Sequence, residues 1–500
     1  MFKFRTNTHH FATTAMSSCG CGNNSCGCGG DDNNAEASYL EAAQSGCELS
    51  KGGIIVKKPE ILAPAGSLEH LYMAVDYGAD AVYAGIPRWS LRVRGNGFTR
   101  NDFEAGINYA HSKGRKFFAV LNVIPHVRRT AAFTPALDEV AALKPDAFIM
   151  ADPGLIDQAL ERHPEIPVHL SVQANTVNPG TVKFWQKLGV QRVILARELS
   201  LNEIEMIRNE CPDMEIEVFI HGALCIAVSG RCLISGMLAR RDANTGTCNN
   251  ACRWNYRVKD LHLEDAATCE TIMDGKIPMR SINPLDERDS PALRAEIEET
   301  SRREGEWMPM EEDEHGSYLM NSKDLCALSV VKRLMEIGVD SLKIEGRSRS
   351  PFYSGGIARA YRLAVDAIAQ GQEIPDESWR IVNSIPARGY TTAMLDPNNA
   401  LDEMQDYETN APSPGEWQIV GKIESQENGR INIRVKNKFE ATSKLMIYTP
   451  NGPVAVDGST MLDKHGKPCD VAKGDGYFVS LAFEQPLDLR TAVLLRDDSK

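Results

Sequence analysis

No apolar run in this chain is long enough to span a bilayer, and no hydrophobic segment with a small-residue cleavage site opens it. Neither a membrane anchor nor a secretory leader is therefore expected. The opening residues, MFKFRTNTHHFATTAM, are acid-poor and hold a single Arg. That composition also fits an organellar transit peptide, but a cytoplasmic enzyme is the simpler expectation. An excess of positive charge is missing too: 55 Lys and Arg face 68 Asp and Glu, a net charge of −13. A protein that coats nucleic acid through an overall basic field is excluded, whereas a local basic groove is not. Three signatures are also lacking. No G-x-G-x-x-G follows a strand-like run, and neither H-E-x-x-H nor G-x-S-x-G occurs, which argues against a dinucleotide fold and the commonest hydrolase sites.

What is present is a chain of 500 residues, 42% hydrophobic and 25% charged, the size of one large domain with a small one. Residues 1–53 read as a disordered tail. Their Cys19, Cys21, Cys26 and Cys28 form two Cys-Gly-Cys pairs in a low-complexity stretch. These thiols suit soft metals, but flexible spacing fixes no geometry, so incidental thiols are the expectation here. Cys47 has no evident partner.

From residue 54 short apolar runs alternate with segments of helical period. Strands are predicted at Glu60–Ala63, Asp80–Gly85, KFFAVLNV, Asp146–Asp152, Val168–Ala174, Arg192–Glu198, Glu215–Gly222 and Ser341–Gly346. Eight βα units predict a closed (β/α)₈ TIM-like barrel over 54–395, with a doubly wound sheet as runner-up. The last two strands are separated by roughly 120 residues, far more than an ordinary connection. An insertion over 222–340 is therefore expected, polar and acidic in its middle, followed by a helix from SKDLCALSVVKRLMEIG. A polar linker at 396–415 leads to short alternating runs and an Asn-Gly turn over 416–500, which predict a small antiparallel β-barrel.

The 13 cysteines are odd in number and unevenly spread, which suggests metal or redox chemistry in a reducing compartment rather than a disulfide framework. Cys225, Cys232, Cys248 and Cys252 are spaced C-x₆-C-x₁₅-C-x₃-C within the insertion. Four thiolates so close together can share an iron–sulfur cluster. Tetrahedral zinc competes, although only the second pair has the usual zinc spacing. Cysteines without any metal are the third reading.

At these cysteines a resemblance becomes plain. The string EVFIHGALCIAVSGRCLIS resembles the signature of the collagenase-like peptidase family. ILAPAGSLE, GADAVYAG, LSVQANTVN, RVILARELSL and SLKIEGRSRS are similar to the same family, from about Pro59 to the end. RDANTGTCNNACRW and VKNKFEATSKLMIYTPNG look closest to its bacterial tRNA hydroxylation branch. The resemblance implies a [4Fe–4S] cluster on Cys225, Cys232, Cys248 and Cys252, with Cys326 as the alternative to Cys252. It implies oxygen-independent hydroxylation of the wobble uridine to 5-hydroxyuridine, dependent on prephenate as co-substrate. The expected partners are the tRNA anticodon region, a small-molecule hydroxyl donor and the iron–sulfur assembly machinery, with no membrane. Sister branches act on ribosomal RNA or a ubiquinone precursor, and those substrates stand as alternatives. The Cys-Gly tail departs from the family pattern.

Strand ends supply the remaining candidates, because barrel sites form at the C-terminal face. Tyr83 ends the second strand, and Arg88, Arg92 and Arg94 follow around Trp89. Guanidinium groups there suit phosphate or dicarboxylate, and the indole suits a base; a solvated basic loop with an anchoring Trp is the plain alternative. Asn122, Gln173 and Asn175 are candidates for a uracil edge or a substrate carboxylate, or for ordinary bonding within the rim. Arg197 borders Glu198 and pairs with it on the plainest reading. His221 precedes the cysteines and is a candidate acid–base group or supporting partner to the cluster, although a lone His at a strand end is more often structural. Lys343 and Glu345 share a strand face and are expected to form a functional charge pair, with Arg347 beside them. Two other classes compete: a peptidase, which lacks a motif, and a non-enzymatic cluster scaffold, against which a barrel with a polar mouth argues.

Overall fold

Runs such as EILAPA, AVYAG and KFFAVL are buried almost throughout, as strands must be when side chains cover both faces of a parallel sheet. In the computed structural model they form a closed parallel barrel. The structure describes residues 57–91, 97–224, 323–396 and 415–499, and the backbone of strands Cys47–Leu49, Ile55–Lys57, Tyr256–Asp260, Leu293–Glu299 and Trp307–Glu312. The barrel strands are β1 (Glu60–Ala65), β2 (Ala81–Gly85), β3 (Lys116–Leu121), β4 (Ala147–Met150), β5 (Val168–Leu170), β6 (Arg192–Ile194), β7 (Glu215–Ala223) and β8 (Ser341–Ile344). Each pairs in parallel with the next. The ring closes because Leu342 of β8 lies opposite both Ile61 of β1 and Val218 of β7.

The outer helices that matter below are α1 (Leu68–Asp76), which follows β1, and α2 (Pro351–Ala369), which follows β8. The second starts on a Ser350 cap with Pro351 in its first turn, both strong initiation signals. Most of it is buried, because it packs between α1 and the helix Asp376–Ser384 on the wall of β1, with Phe352 against Tyr448 of the second domain.

That domain is an antiparallel sheet. Its main strands are β9 (Trp417–Glu427), β10 (Arg430–Val435), β11 (Leu445–Thr449), β12 (Gly452–Val456), β13 (Phe478–Ala482) and β14 (Val493–Asp497). The order is β12-β11-β14-β9-β10-β13 followed by Leu462–Asp463, and the two outermost strands are not paired with each other. The antiparallel pattern expected from sequence is present, in an open order of pairing. Its apolar face holds Val420, Ile431, Ile433, Ile447 and Leu481. The domain meets the barrel through Tyr448, which is fully buried and packs on Tyr77 of the barrel, Phe352 of α2 and Trp417 at ring separations of 6.0, 5.5 and 5.3 Å. The Tyr77 hydroxyl donates to the carbonyls of Tyr448 and Thr491, so the junction is both apolar and bonded.

Three details differ from the sequence reading. Strands Cys47–Leu49 and Ile55–Lys57 form a hairpin across the expected end of the tail. Tyr256–Asp260, Leu293–Glu299 and Trp307–Glu312 make a three-stranded antiparallel sheet inside the insertion. Asp324–Cys326, expected to be helical, is a short strand antiparallel to the end of β7, with Cys326 opposite His221. Because β7 is nine residues long, it overhangs its neighbours, and its unmet backbone groups recruit the returning chain. Helix resumes only at Val331.

Truncating Tyr448→Ala removes the centre of the junction. We expect a loss of about 3–5 kcal/mol, and calorimetry should resolve two melting transitions where the wild type gives one.

Candidate active site at the mouth of the barrel

The barrel interior carries a chain of charges. Arg192, at the start of β6, reaches Glu60 of β1 at 2.6 Å, Glu215 at 2.8 Å and Glu217 at 3.1 Å. The other oxygen of Glu217 accepts from Lys343 Nζ at 2.7 Å. Glu217 is fully buried and Lys343 is 4% exposed. Burial opposes the carboxylate charge, but Lys343 and Arg192 outweigh it and hold Glu217 below the usual carboxylate range. Lys343 Nζ also lies 4.2 Å from the centre of the Tyr83 ring. Lys343 is thus inside the barrel, but its partner is Glu217 rather than Glu345. The expected Lys343–Glu345 pair fails because β8 ends at Ile344, so the alternation of faces stops one residue early. Glu345 instead bonds through its backbone, its N–H to the His221 carbonyl and its carbonyl from the Tyr353 hydroxyl. Sequence reasoning missed Glu217 and Arg192. Their signal was a charged residue at the inward parity of an otherwise apolar strand.

His169 of β5 completes this layer. It is buried edge-on to Phe118 at 4.8 Å. Burial, then Arg192 and Lys343, push its pKa well below the ordinary value, so it is neutral.

Above the charges lies a polar rim built from strand ends. The Asn122 side chain accepts from the Leu91 N–H at 3.1 Å and donates to Ser171 Oγ at 3.3 Å. Ser171 Oγ is 3.5 Å from Gln173 Oε1. On the other side, Arg347 donates to the Leu91 carbonyl. Gly85 ends β2 because a Cβ there would come within 2.2 Å of Ser90 Oγ and 2.3 Å of an Arg347 nitrogen. Arg197 lies 3.9 Å over the Phe219 ring and donates to the Ala223 carbonyl at 2.9 Å. Tyr83 is buried, its hydroxyl donates to the Ile344 carbonyl at 2.8 Å, and burial raises its pKa. It is a floor for the site rather than a titrating group. Among the described residues, Ser90 Oγ, Gln173 Nε2, Asn175 Oδ1 and Thr176 Oγ1 are buried rim atoms with no hydrogen-bond partner. Such orphans are costly without a ligand or water. Asn175 also adopts a left-handed backbone, φ 51°, a strain typical of functional loops. The rim therefore offers both donor and acceptor atoms that the described residues leave unpartnered.

Other candidates are placed elsewhere. His221 does not face the lumen. It is 1% exposed and sits among Tyr353, Tyr361 and Tyr390, with ring centres at 6.0, 5.7 and 5.3 Å. Burial and Arg349 push its pKa down to about 3. The imidazole is thus neutral and enclosed by tyrosines, with Nδ1 3.3 Å from the Tyr361 hydroxyl. Cys326 lies beside it, buried, its thiol 3.8 Å from the Tyr361 hydroxyl and its pKa raised by burial. Trp89 is 7% exposed and packs edge-on to Phe133 at 5.2 Å, so it anchors its loop. Arg88 is exposed with φ 68°, and its carbonyl accepts from Arg129. Arg92, Arg94, Cys225, Cys232, Cys248 and Cys252 lie outside the described residues. The chain leaves β7 at Ala223, at the mouth, two residues before Cys225.

Comparison with known proteins adds relatives. Residues 66–405 match Peptidase family U32, and residues 415–496 match the Peptidase family U32 C-terminal domain. The chain is 46% identical over 443 residues to the tRNA hydroxylation protein P of Escherichia coli (strain K12), covering 88% of this chain and 97% of that protein. It is 43% identical over 444 residues to the protein of the same name from Haemophilus influenzae (strain ATCC 51907 / DSM 11121 / KW20 / Rd), covering 88% and 96%. It is 36% identical over 375 residues to that of Helicobacter pylori (strain ATCC 700392 / 26695), covering 74% and 79%.

Two outcomes follow from the interior charges. Glu217→Gln leaves the buried Lys343 without its carboxylate, while Arg192 keeps Glu60 and Glu215, and should cost about 3–5 kcal/mol in urea denaturation, most of it recovered by Glu217→Leu combined with Lys343→Met. His169 is held neutral in the folded state while it takes up a proton in the unfolded chain as pH falls below about 6.5. Its contribution to stability is therefore complete above that pH and is lost on acidification. His169→Gln should flatten the pH dependence of unfolding below that value by up to about 1.4 kcal/mol per pH unit.

Proposed function

The chain belongs to Peptidase family U32, and from that membership we propose that it is a tRNA hydroxylase. It converts the wobble uridine of the anticodon to 5-hydroxyuridine, with prephenate as oxygen donor and a [4Fe–4S] cluster as cofactor. One observation carries this reading. Near-complete alignments join the chain, across both domains, to proteins named for tRNA hydroxylation.

The rim chemistry supports it. A uracil edge offers carbonyl acceptors and an N–H donor, which match Gln173 Nε2 and Asn175 Oδ1. Arg347 and Arg197 border the same space, and guanidinium suits the carboxylates of a small acidic donor. The tightly packed floor at Tyr83 and Phe118 keeps water from the reacting face. Replacing C5–H with C5–OH withdraws two electrons from the base. The donor must therefore hand over one oxygen atom and leave as its two-electron-reduced product.

The donor set for the cluster is chemically consistent. Four thiols follow β7 where it opens at the mouth, and thiolate is the usual ligand of a four-iron cluster. Cys225, Cys232, Cys248 and Cys252 would hold it, and when bound it would supply one-electron transfer or a Lewis-acidic iron beside the rim. Proteolysis has less support. Among the described residues, the one adjacent Cys and His are Cys326 and His221, where a raised thiol pKa and an enclosed imidazole oppose nucleophile activation.

The test is nucleoside mass spectrometry of tRNA from a deletion strain grown without oxygen. We expect 5-hydroxyuridine and its derivatives to vanish, to return with the wild-type gene, and to stay absent with Cys232→Ser. Gln173→Ala should restore them only in part. Protein purified without air should carry about four irons per chain. Undiminished 5-hydroxyuridine in the deletion would remove the tRNA assignment.

A further inference from the structure

The outer face of the second domain carries a feature that packing does not explain. Along β9, Gly421 and Ile423 point into the core, and Lys422 between them is exposed. Along β10, Ile433 and Val435 are buried and Arg434 between them is exposed. Along β13, Val479 and Leu481 are inward, and Phe478 is 46% exposed. The register sets these three side by side, with Lys422 opposite Arg434 and Arg434 opposite Phe478. Strand spacing makes the row about 10 Å wide. Lys436, exposed just beyond the end of β10, extends it. Among the described residues, neither Arg434 nor Lys436 has an acidic partner.

Two further facts give the row a direction and a charge. Lys422 lies 3.9 Å from Glu69, which is in the first turn of α1. That turn follows β1 at the mouth of the barrel, so the row starts beside the candidate active site and runs outward. Residues 415–500 hold twelve Lys and Arg against twelve Asp and Glu, so the net charge of −13 belongs to the rest of the chain. The row is thus a local positive strip, with an exposed aromatic ring, on an acidic protein. Cations spaced for a phosphate chain next to a free ring face are the elements of backbone-plus-stacking RNA recognition.

We propose that the row Lys422–Arg434–Phe478, with Lys436, is a docking strip for the tRNA substrate outside the target base. It grips the phosphate backbone through its cations and stacks an unpaired base on Phe478. The proposal rests on the tRNA reading above and adds the surface that holds the molecule. It also explains how an enzyme of net negative charge binds a polyanion, by confining attraction to one strip that leads to the mouth.

The experiment measures binding of intact tRNA to the full chain by fluorescence anisotropy across a salt series. Arg434→Ala with Lys436→Ala should weaken binding about tenfold near 0.1 M salt and lower the log–log salt slope by about 1.5, the release expected from two phosphate contacts. Phe478→Thr should weaken binding about tenfold with the salt slope unchanged, and Phe478→Trp should retain it. Because all three positions are on an exposed face, melting temperatures should stay within a few degrees of wild type. If wild type binds tRNA and these variants bind it equally well, the strip is not the RNA surface, and an acidic protein becomes its better partner. If Phe478→Leu binds as wild type does, stacking is refuted. If wild type itself does not bind tRNA, the hydroxylase reading falls as well.

Discussion

A carboxylate sealed inside a barrel is tolerable only while its cations stay in place. Glu217 meets that condition with Lys343 on one oxygen and Arg192 on the other. Arg192 then continues to Glu60. The four residues come from β7, β8, β6 and β1, so the network crosses the seam where the last strand closes on the first. Apolar packing could close such a ring without fixing one register, whereas charges that must meet allow little slippage. The position of everything above the seam, including the ends of β2, β5 and β8, follows from that constraint.

The barrel is consequently divided by height. Its lower interior is charged, and its carboxylates and cations are paired with one another. Its upper interior is polar and unsatisfied, which makes it receptive. Among the described residues, Ser90, Gln173, Asn175 and Thr176 hold atoms without partners where strands have ended and the chain turns outward. This is the arrangement by which barrels separate stability from function. The orphans are affordable because the seam beneath them is firmly held.

Much of this was legible in the sequence, for identifiable reasons. All eight barrel strands were placed to within a few residues, because buried parallel strands appear as unbroken apolar runs. Their C-terminal limits were overestimated at Val168–Ala174 and Arg192–Glu198, where the pattern of apolar residues continues into a turn set by the left-handed Asn175 and into the loop after Ile194. Cys326 was read as helical because DLCALSVVKRL keeps a helical period. Only the overhang of β7, which is tertiary information, turns its first residues into a strand. Of the site candidates, Gln173, Asn175 and Arg347 gather at the mouth. Lys343 lies in the interior with a different partner, because the end of a strand decides which neighbour shares its face. The surroundings of His221 were the least legible, since the tyrosines around it come from α2 and from Tyr390, far along the chain. The strip on the second domain left no trace in composition, since it exists only when three strands are brought into register.

The short strand Asp324–Cys326 zips onto the overhang of β7, so the long excursion between β7 and β8 begins and ends at almost the same point. A loop pinned shut at its base is nearly decoupled from the scaffold: lengthening it adds little entropy, about 0.6 kcal/mol for each doubling. Material can be gained, lost or exchanged there over evolutionary time while the ring beneath keeps its shape. A single architecture can in this way present different chemistries to different substrates, with the pinned base acting as a socket.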